Sequence, residues 1–210
     1  GPPSSTQSRS SAASEVYKRQ VSHFTGEEMI GHIRTALDYV REHADEYGVD
    51  PSRIGLVGAS AGGHLAALAA VTATPKTQVQ AVAVFFPPTD FLDWEGNGDM
   101  PDFEEISPLF FEDGVEGHSE DEVKAKARAL SPARQVGTNV PQFLLIHGDA
   151  DTTVPLFQSQ TMIAALERAG GKPELIVKPG GEHPWPTIRE EVAVMAEWMA
   201  RQLGAAAAGR

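Results

Sequence analysis

The chain has 210 residues, of which 41% are hydrophobic and 22% are charged, and this is the composition of a globular domain with a core of ordinary size. Its formal net charge of −12 argues against nucleic acid or an anionic membrane as a partner, because phosphate groups attract clustered Lys and Arg. The absence of cysteine excludes disulfides, thiolate metal sites and a cysteine nucleophile, and no apolar run approaches the roughly 20 residues that span a bilayer.

The two ends of the chain differ from its middle. Residues 1–14 are rich in Ser, Pro and Ala without an apolar period, and the EVYKRQ sequence that follows resembles a sequence-assembly scar. We therefore expect 1–20 to be a disordered tail or such a scar, and 205–210 to be a disordered tail. Residues 21–204 are predicted to form one partial domain.

Helices and strands are predicted to alternate between these ends. Thr25 and Glu28 have the spacing of a capping box, and the apolar residues that follow recur every three or four positions, at Met29, Ile33, Leu37, Val40, Ala44 and Tyr47. This pattern predicts an amphipathic helix over 26–47, ended by Gly48. Further helices are predicted over 61–72, 120–130, 156–169 and 186–203. Buried strands are predicted over 53–58 and 79–86, and further strands over 142–147 and 173–178.

Strands that are apolar on both faces and separated by helices indicate an α/β fold, with a parallel sheet covered on both sides. The segment at about 89–138 interrupts this alternation, since it is acidic and rich in Gly, Pro and aromatic residues. We interpret it as an insertion over the end of the sheet. Ligands of such sheets bind at the carboxyl ends of the strands, so the loops that follow the strands are the places to look for chemistry.

Three of these loops carry reactive residue types. The sequence Gly58-Ala59-Ser60-Ala61-Gly62 lies between a predicted strand and a predicted helix, which is the context of a nucleophile elbow. Its glycines allow strand and helix to approach, while the serine adopts a strained conformation with its hydroxyl exposed. Asp149 and Asp151 follow the third strand, and His183 follows the fourth. The chain order Ser, Asp, His is that of the α/β-hydrolase triad.

The motifs VGASAGGHLA, LLIHGDADTTVP and GGEHPW resemble those of the α/β-hydrolase family. The resemblance is to its acetyl, carbohydrate-ester and feruloyl esterases and to prolyl-oligopeptidase-like catalytic domains. It implies Ser60 as the nucleophile, His183 as the base and Asp151 as the acid, because the family's aspartate lies three residues before Val-Pro. It also implies a small-molecule ester substrate, with no cofactor and no metal ion.

The backbone N–H of Ala61, at the start of a helix, is predicted to be one donor of the oxyanion hole. The family takes its second donor from a Gly-rich loop after an earlier strand, and no such segment occurs between Val21 and Ser60. We therefore expect the amino-terminal strands and the second donor to be missing, as in an amino-terminally truncated fragment. Three further residues, Phe86, Asp90 and Trp94, are predicted to border the substrate.

Several other features have structural interpretations. His64 is expected to pack or cap rather than catalyse. His147 is expected to be a hydrogen-bonding residue beside the acid loop, the loop that carries Asp149 and Asp151. The spacing of acids over 93–104 approximates a calcium loop, but Glu95 departs from the pattern and a solvated acidic loop is favoured. One set of aromatic residues can either line an acyl pocket or form the core of the insertion: Phe85, Phe86, Phe91, Trp94, Phe103, Phe110 and Phe111.

Three functions follow from these observations. A serine esterase acting on small acyl or carbohydrate-linked esters is favoured, because Ala-Ser-Ala-Gly-Gly is the esterase-like form of the elbow. A peptidase of the prolyl-oligopeptidase type is the second hypothesis, although such enzymes usually carry an aromatic residue where this chain has Ala61. An inactive fragment that keeps the triad and lacks the second oxyanion donor is the third.

Overall fold

The computed structural model describes residues 24–101, 107–112 and 114–204. The predicted tails 1–20 and 205–210 lie outside the described residues. Four parallel strands form one sheet in the order β1-β2-β3-β4, namely β1 Gly55–Ala59, β2 Ala81–Phe85, β3 Gln142–Gly148 and β4 Glu174–Lys178. The α/β fold with a parallel sheet is thereby confirmed.

The strand register brings the carboxyl ends of the four strands to one edge of the sheet. Ala59 pairs with Phe85, Phe85 pairs with Ile146, and Gly148 pairs with Lys178. The loops that begin at residues 60, 86, 149 and 179 therefore start side by side, and this is where the predicted reactive residues lie.

The described helices connect or flank these strands. Their bounds are α1 Gly26–Glu42, α2 Ala44–Tyr47, α3 Ala61–Val71, α4 Ser107–Phe110, α5 Glu120–Ala129, α6 Pro132–Gln135, α7 Leu156–Arg168 and α8 Ile188–Gln202. The capping box of Thr25 and Glu28 is confirmed. The helix predicted over 26–47 is divided at His43 into α1 and α2, and Gly48 ends α2 in the left-handed region.

Both faces of the central strands are covered. On one face Val82, Val84 and Leu145 pack with residues of α1, α3 and α7, and on the other face Ala83 and Ile146 pack with residues of α8. This explains why β2 and β3 are apolar on both sides. The free energy gained by burying them is the main term that holds the layers together.

Two of the predicted buried positions are exposed. The strand over 53–58 was expected to be buried, but β1 is an edge strand of the described sheet and Val57 is 59% exposed. Tyr47 was assigned to the apolar face of the first helix and is 51% exposed. Ile30, which the pattern missed, is buried there instead. Helical spacing gives the direction of a side chain, whereas its burial depends on what lies opposite.

The described residues of the segment 89–138 pack over one side of α3 and include α4, α5 and α6. Phe91 and Phe110 are buried in a cluster with Leu68, Ala127 and Leu130. For these two aromatic residues the structure therefore favours the core of the insertion over an acyl pocket. Phe103 lies outside the described residues.

The calcium-like stretch has internal partners where it is described. The Asp93 carboxylate accepts the backbone N–H groups of Gly96 and Gly98, and Asn97 accepts that of Asp99. These bonds close a turn. The carboxyl-terminal part of the stretch, 102–104, lies outside the described residues. No described helix is both long and apolar enough for a membrane crossing.

Candidate active site

Ser60 lies at the turn between β1 and α3, with φ 51° and ψ −123°. A positive φ is strained for any residue with a side chain, and such strain is found at functional sites. The turn is tight, because a Cβ atom at Gly58 would lie 2.3 Å from the carbonyl oxygen of Gly62. Ser60 donates its own N–H to the Phe85 carbonyl at 3.0 Å, which attaches the turn to the end of β2. The predicted elbow is therefore present.

Asp151 lies in the loop that joins β3 to α7 and is 8% exposed. Its Oδ1 accepts the backbone N–H groups of Thr153 and Val154, both at 2.9 Å. Its Oδ2 lies 2.6 Å from Nδ1 of His183. Asp149, the other candidate acid, accepts the N–H of Gly180 at 2.6 Å. The geometry thus joins Asp151, rather than Asp149, to the histidine.

His183 follows β4 and lies between the acid and the serine. Its Nε2 is 2.9 Å from Oγ of Ser60, and its Nδ1 faces the Asp151 carboxylate. A carboxylate only accepts hydrogen bonds, so in the neutral imidazole Nδ1 carries the proton and Nε2 is free to accept the serine proton. Three residues far apart in the chain therefore form one continuous hydrogen-bonded array.

A close contact between two loops fixes the position of His183. A Cβ atom at Gly148 would lie 2.1 Å from the carbonyl oxygen of Gly181, so only glycine allows this approach. The N–H of Ala150 donates to the same carbonyl at 3.0 Å, and the N–H of Asp149 donates to Lys178 at 3.1 Å. The acid loop and the histidine loop are thus bonded to each other through their backbones.

Helix α8 is bonded to the histidine loop, the segment after β4 that contains His183. The Glu191 carboxylate accepts hydrogen bonds from Lys178 Nζ at 2.7 Å and from the indole N–H of Trp185 at 2.8 Å. Burial raises the pKa of Glu191, but these two hydrogen bonds, a backbone hydrogen bond and the charge of Lys178 together outweigh it, so its pKa lies below its usual value. The carboxylate therefore stays charged and keeps Trp185, two residues after His183, in place.

A model of the BD-FAE family matches residues 12–166 of the chain. The chain belongs to this family. BD-FAE proteins are α/β-hydrolases of the esterase type, which confirms the fold and the resemblance read from the motifs.

Similar proteins are named as esterases. The chain is 34% identical to Esterase LipQ of Mycobacterium tuberculosis over 148 residues, which are 66% of this chain and 34% of that protein. It therefore spans about a third of the length of this curated relative. A solved structure described as a truncated form of carbohydrate esterase from gut microbiota is 29% identical, with a TM-score of 0.71, covering 83% of this chain and 68% of that one.

A second solved structure is esterase 2 of Thermogutta terrifontis phosphorylated by paraoxon. It is 25% identical, has a TM-score of 0.60, and covers 82% of this chain and 62% of that one.

Within this BD-FAE chain, Phe86 lies behind the histidine. It has φ 36°, which is unusual for a bulky residue, and is 3% exposed. Its ring centroid lies 4.3 Å from that of His183. Phe86 was predicted to border the substrate, which stays a prediction, and in the structure its ring packs against the imidazole of His183. Sequence reasoning missed this, since the backbone conformation after a strand leaves no local signal.

Asp90 and Trp94 were also predicted to border the substrate. Asp90 is 4% exposed, and its Oδ1 accepts hydrogen bonds from Arg134 Nε at 2.6 Å and from the Leu92 N–H at 2.9 Å. Trp94 stacks on Phe91 and is partly buried. The contacts of Asp90 hold the loop after β2 in place in this BD-FAE chain, and a role of Asp90 and Trp94 at the substrate stays a prediction.

Gln158 in the first turn of α7 was not identified from the sequence. Its side chain is fully buried, and Oε1 accepts the N–H groups of Thr89 and Asp90 at 2.8 and 2.7 Å. Its Nε2 donates to the carbonyls of Asp93 and Trp94 at 3.0 and 2.8 Å. All four hydrogen bonds that the amide can make are used on one loop.

His64 and His147 have the structural roles expected of them. His64 is 1% exposed, and Nε2 lies 2.7 Å from the Leu130 carbonyl. Burial lowers the pKa of His64 to about 4, and its bond to Leu130 opposes this only in part. His147 contacts the acid loop through the Val154 carbonyl at 2.8 Å. Neither ring is bonded to Ser60.

Ala61 is the first residue of α3 and is exposed. The first N–H groups of a helix have no partner within it and carry the positive end of its dipole. The N–H of Ala61 therefore remains the predicted oxyanion donor, directly after Ser60.

Proposed function

We propose that the chain is a serine hydrolase that cleaves carboxylic esters through Ser60, His183 and Asp151. The observation that carries the proposal is the array in which His183 lies 2.9 Å from the Ser60 hydroxyl and 2.6 Å from the Asp151 carboxylate. A hydroxyl within hydrogen-bond reach of a base that is itself oriented by an acid is the arrangement that activates a nucleophile. Residues 21–204 are proposed to be the domain that carries it.

The reaction proceeds in two steps. Nε2 of His183 takes the hydroxyl proton as Oγ of Ser60 bonds to the ester carbonyl carbon, and the carbonyl oxygen becomes an oxyanion beside the N–H of Ala61. The oxyanion collapses, the bond to the alcohol oxygen breaks, and His183 gives its proton to that alcohol. Water then attacks the acyl-enzyme, with His183 as base, and releases the acid and the free serine.

The relatives favour esters over peptides as substrates. LipQ and the gut-microbiota protein are named as esterases, the latter as a carbohydrate esterase. Paraoxon phosphorylates the Thermogutta enzyme, as expected of an enzyme with an activated nucleophile. We therefore propose small acyl esters and acyl groups carried on carbohydrates as the substrate class, ahead of the prolyl-oligopeptidase hypothesis.

Hydrolysis of p-nitrophenyl acetate tests the proposal. We expect turnover by the chain, loss of turnover in Ser60→Ala, and labelling of Ser60 by a fluorophosphonate probe in the parent only. A peptide p-nitroanilide measured alongside separates the esterase from the peptidase hypothesis. Equal ester turnover in the parent and in Ser60→Ala would exclude Ser60 as the nucleophile. A folded parent that neither turns over the ester nor takes up the probe would favour the inactive-fragment hypothesis.

A further inference from the structure

A second histidine lies directly behind the acid loop. His147, near the end of β3, is fully buried, and both of its ring nitrogens have partners. Nε2 lies 2.8 Å from the Val154 carbonyl, and Nδ1 lies 2.7 Å from the hydroxyl of Ser159. A carbonyl only accepts, so Nε2 carries a proton. In a neutral ring Nδ1 then accepts the proton of the Ser159 hydroxyl.

The surroundings of His147 favour this neutral form. Burial lowers its pKa below the usual value, although the bond to Val154 and the charge of Asp151 act in the opposite direction. The charged and titratable groups that face the ring are Asp151 and His183, and Phe86 packs against it edge-on. The ring is therefore a fixed N–H donor on one side and an acceptor on the other.

This donor is connected to the triad in two ways. Val154, whose carbonyl accepts the Nε2 proton, donates its own N–H to Oδ1 of Asp151. Nε2 of His147 also lies 3.5 Å from Oδ2 of Asp151, the same oxygen that bonds His183 at 2.6 Å. A lone pair on Nε2 would face two oxygen atoms and repel both. The protonated Nε2 attracts them.

We propose that His147 is a positioning residue for the acid, and that Ser159 orients its ring. The Nε2–H group holds the Val154 carbonyl and so the turn that presents Asp151 to His183, while the Ser159 hydroxyl keeps the ring from rotating. This inference rests on the proposed esterase function. It adds two residues, on β3 and in the first turn of α7, to the machinery that sets the geometry of the triad.

Four variants test the roles of the two residues. His147→Leu removes the donor, and we expect kcat per fluorophosphonate-titrated site to fall about 10- to 100-fold with KM unchanged, as for a small misplacement of a catalytic group. His147→Gln keeps an N–H near the position of Nε2 and should retain more of kcat. Ser159→Ala should lower kcat about 3- to 10-fold, the equivalent of one hydrogen bond. Gln160→Ala, at an exposed position next in the chain, is the matched control.

Nuclear magnetic resonance gives a readout that does not depend on turnover. In the ¹⁵N-histidine-labelled chain at neutral pH, we expect His147, assigned by the loss of its signals in His147→Gln, to carry its proton on Nε2. We also expect the low-field proton of the His183 to Asp151 hydrogen bond to shift or disappear in His147→Leu and to stay unchanged in Gln160→Ala.

The two proposals fail in different ways. Turnover that survives in Ser60→Ala would overturn the proposed function, and the resonance data would still decide the role of His147. Turnover that is lost in Ser60→Ala, but is the same in His147→Leu as in the parent, would overturn the positioning role alone. A His147 ring that carries its proton on Nδ1 and none on Nε2 would also overturn the positioning role.

Discussion

At the scale of single residues, two aspartates on the same loop have different partners. Asp151 is buried and bonds the histidine that bonds Ser60, whereas Asp149 accepts a backbone N–H of the histidine loop. Both side chains are carboxylates, and their spacing in the sequence permits either to be the acid. Only the direction in which each points separates the two roles.

We expect Asp151→Asn to lower kcat about 10⁴-fold, because an amide that donates toward His183 Nδ1 favours the wrong tautomer of the imidazole. Asp149→Asn is the matched control. Its amide oxygen can still accept the N–H of Gly180, so its kcat should stay close to that of the parent. Steady-state hydrolysis of p-nitrophenyl acetate measures both. A larger loss in Asp149→Asn than in Asp151→Asn would reverse the assignment of the acid.

At the scale of elements, the first turn of α7 connects two loops of the site. Gln158 is bonded to four backbone groups of the loop after β2, and its neighbour Ser159 is bonded to His147 beside the acid loop. Adjacent residues of a helix point in different directions, so one turn can hold one loop on each side. The position of α7 thus affects both loops at once.

Replacing Gln158 with Met keeps most of the side-chain volume and removes all four hydrogen bonds. Two buried N–H groups and two partly buried carbonyls of the loop after β2 then lose a partner, and we expect the free energy of unfolding to fall by about 3 kcal/mol. Urea unfolding followed by circular dichroism measures the change. Gln160→Met, exposed on the same helix, should be nearly neutral, and equal losses in the two variants would argue against the Gln158 network.

At the scale of the whole molecule, stability depends on pH through buried histidine. His64 connects the first turn of α3 to the end of α5 by its bond to Leu130, and burial lowers its pKa to about 4. In the unfolded chain the His64 imidazole has its usual pKa of 6.5, whereas in the folded chain it takes up a proton only near pH 4. The neutral His64 therefore contributes fully to the free energy of unfolding above pH 6.5, and this contribution is lost as the pH falls toward 4.

Between pH 7.5 and pH 5 we expect His64 alone to remove about 2 kcal/mol from the free energy of unfolding, at 1.36 kcal/mol for each pH unit below 6.5. His147, whose pKa is also lowered, acts in the same direction. Urea unfolding at the two pH values measures the loss, and in His64→Gln the loss should be smaller by that amount. An equal pH dependence in His64→Gln and in the parent would contradict a neutral, buried His64.

The sequence predicted features that depend on neighbours in the chain. The apolar periods of 26–47 and the apolar runs at 79–86 and 142–147 gave the helices and central strands, since periodicity is a local property. The Gly-Ala-Ser-Ala-Gly turn predicted a strained Ser60 because glycines flank it in sequence. Burial was predicted less well. Val57 and Tyr47 are exposed because burial depends on elements from elsewhere in the chain.

By itself, then, the sequence determined the α/β fold, the family and the order of the Ser, Asp and His loops at one edge of the sheet. Only the tertiary structure decided which partners the other residues around the site have. Asp90 is hydrogen-bonded to Arg134, Gln158 is hydrogen-bonded to the loop after β2, and the ring of Phe86 packs against that of His183. Each of these pairs joins segments that are distant in the chain. Their distances and directions are set by how the layers pack, and no local pattern encodes them.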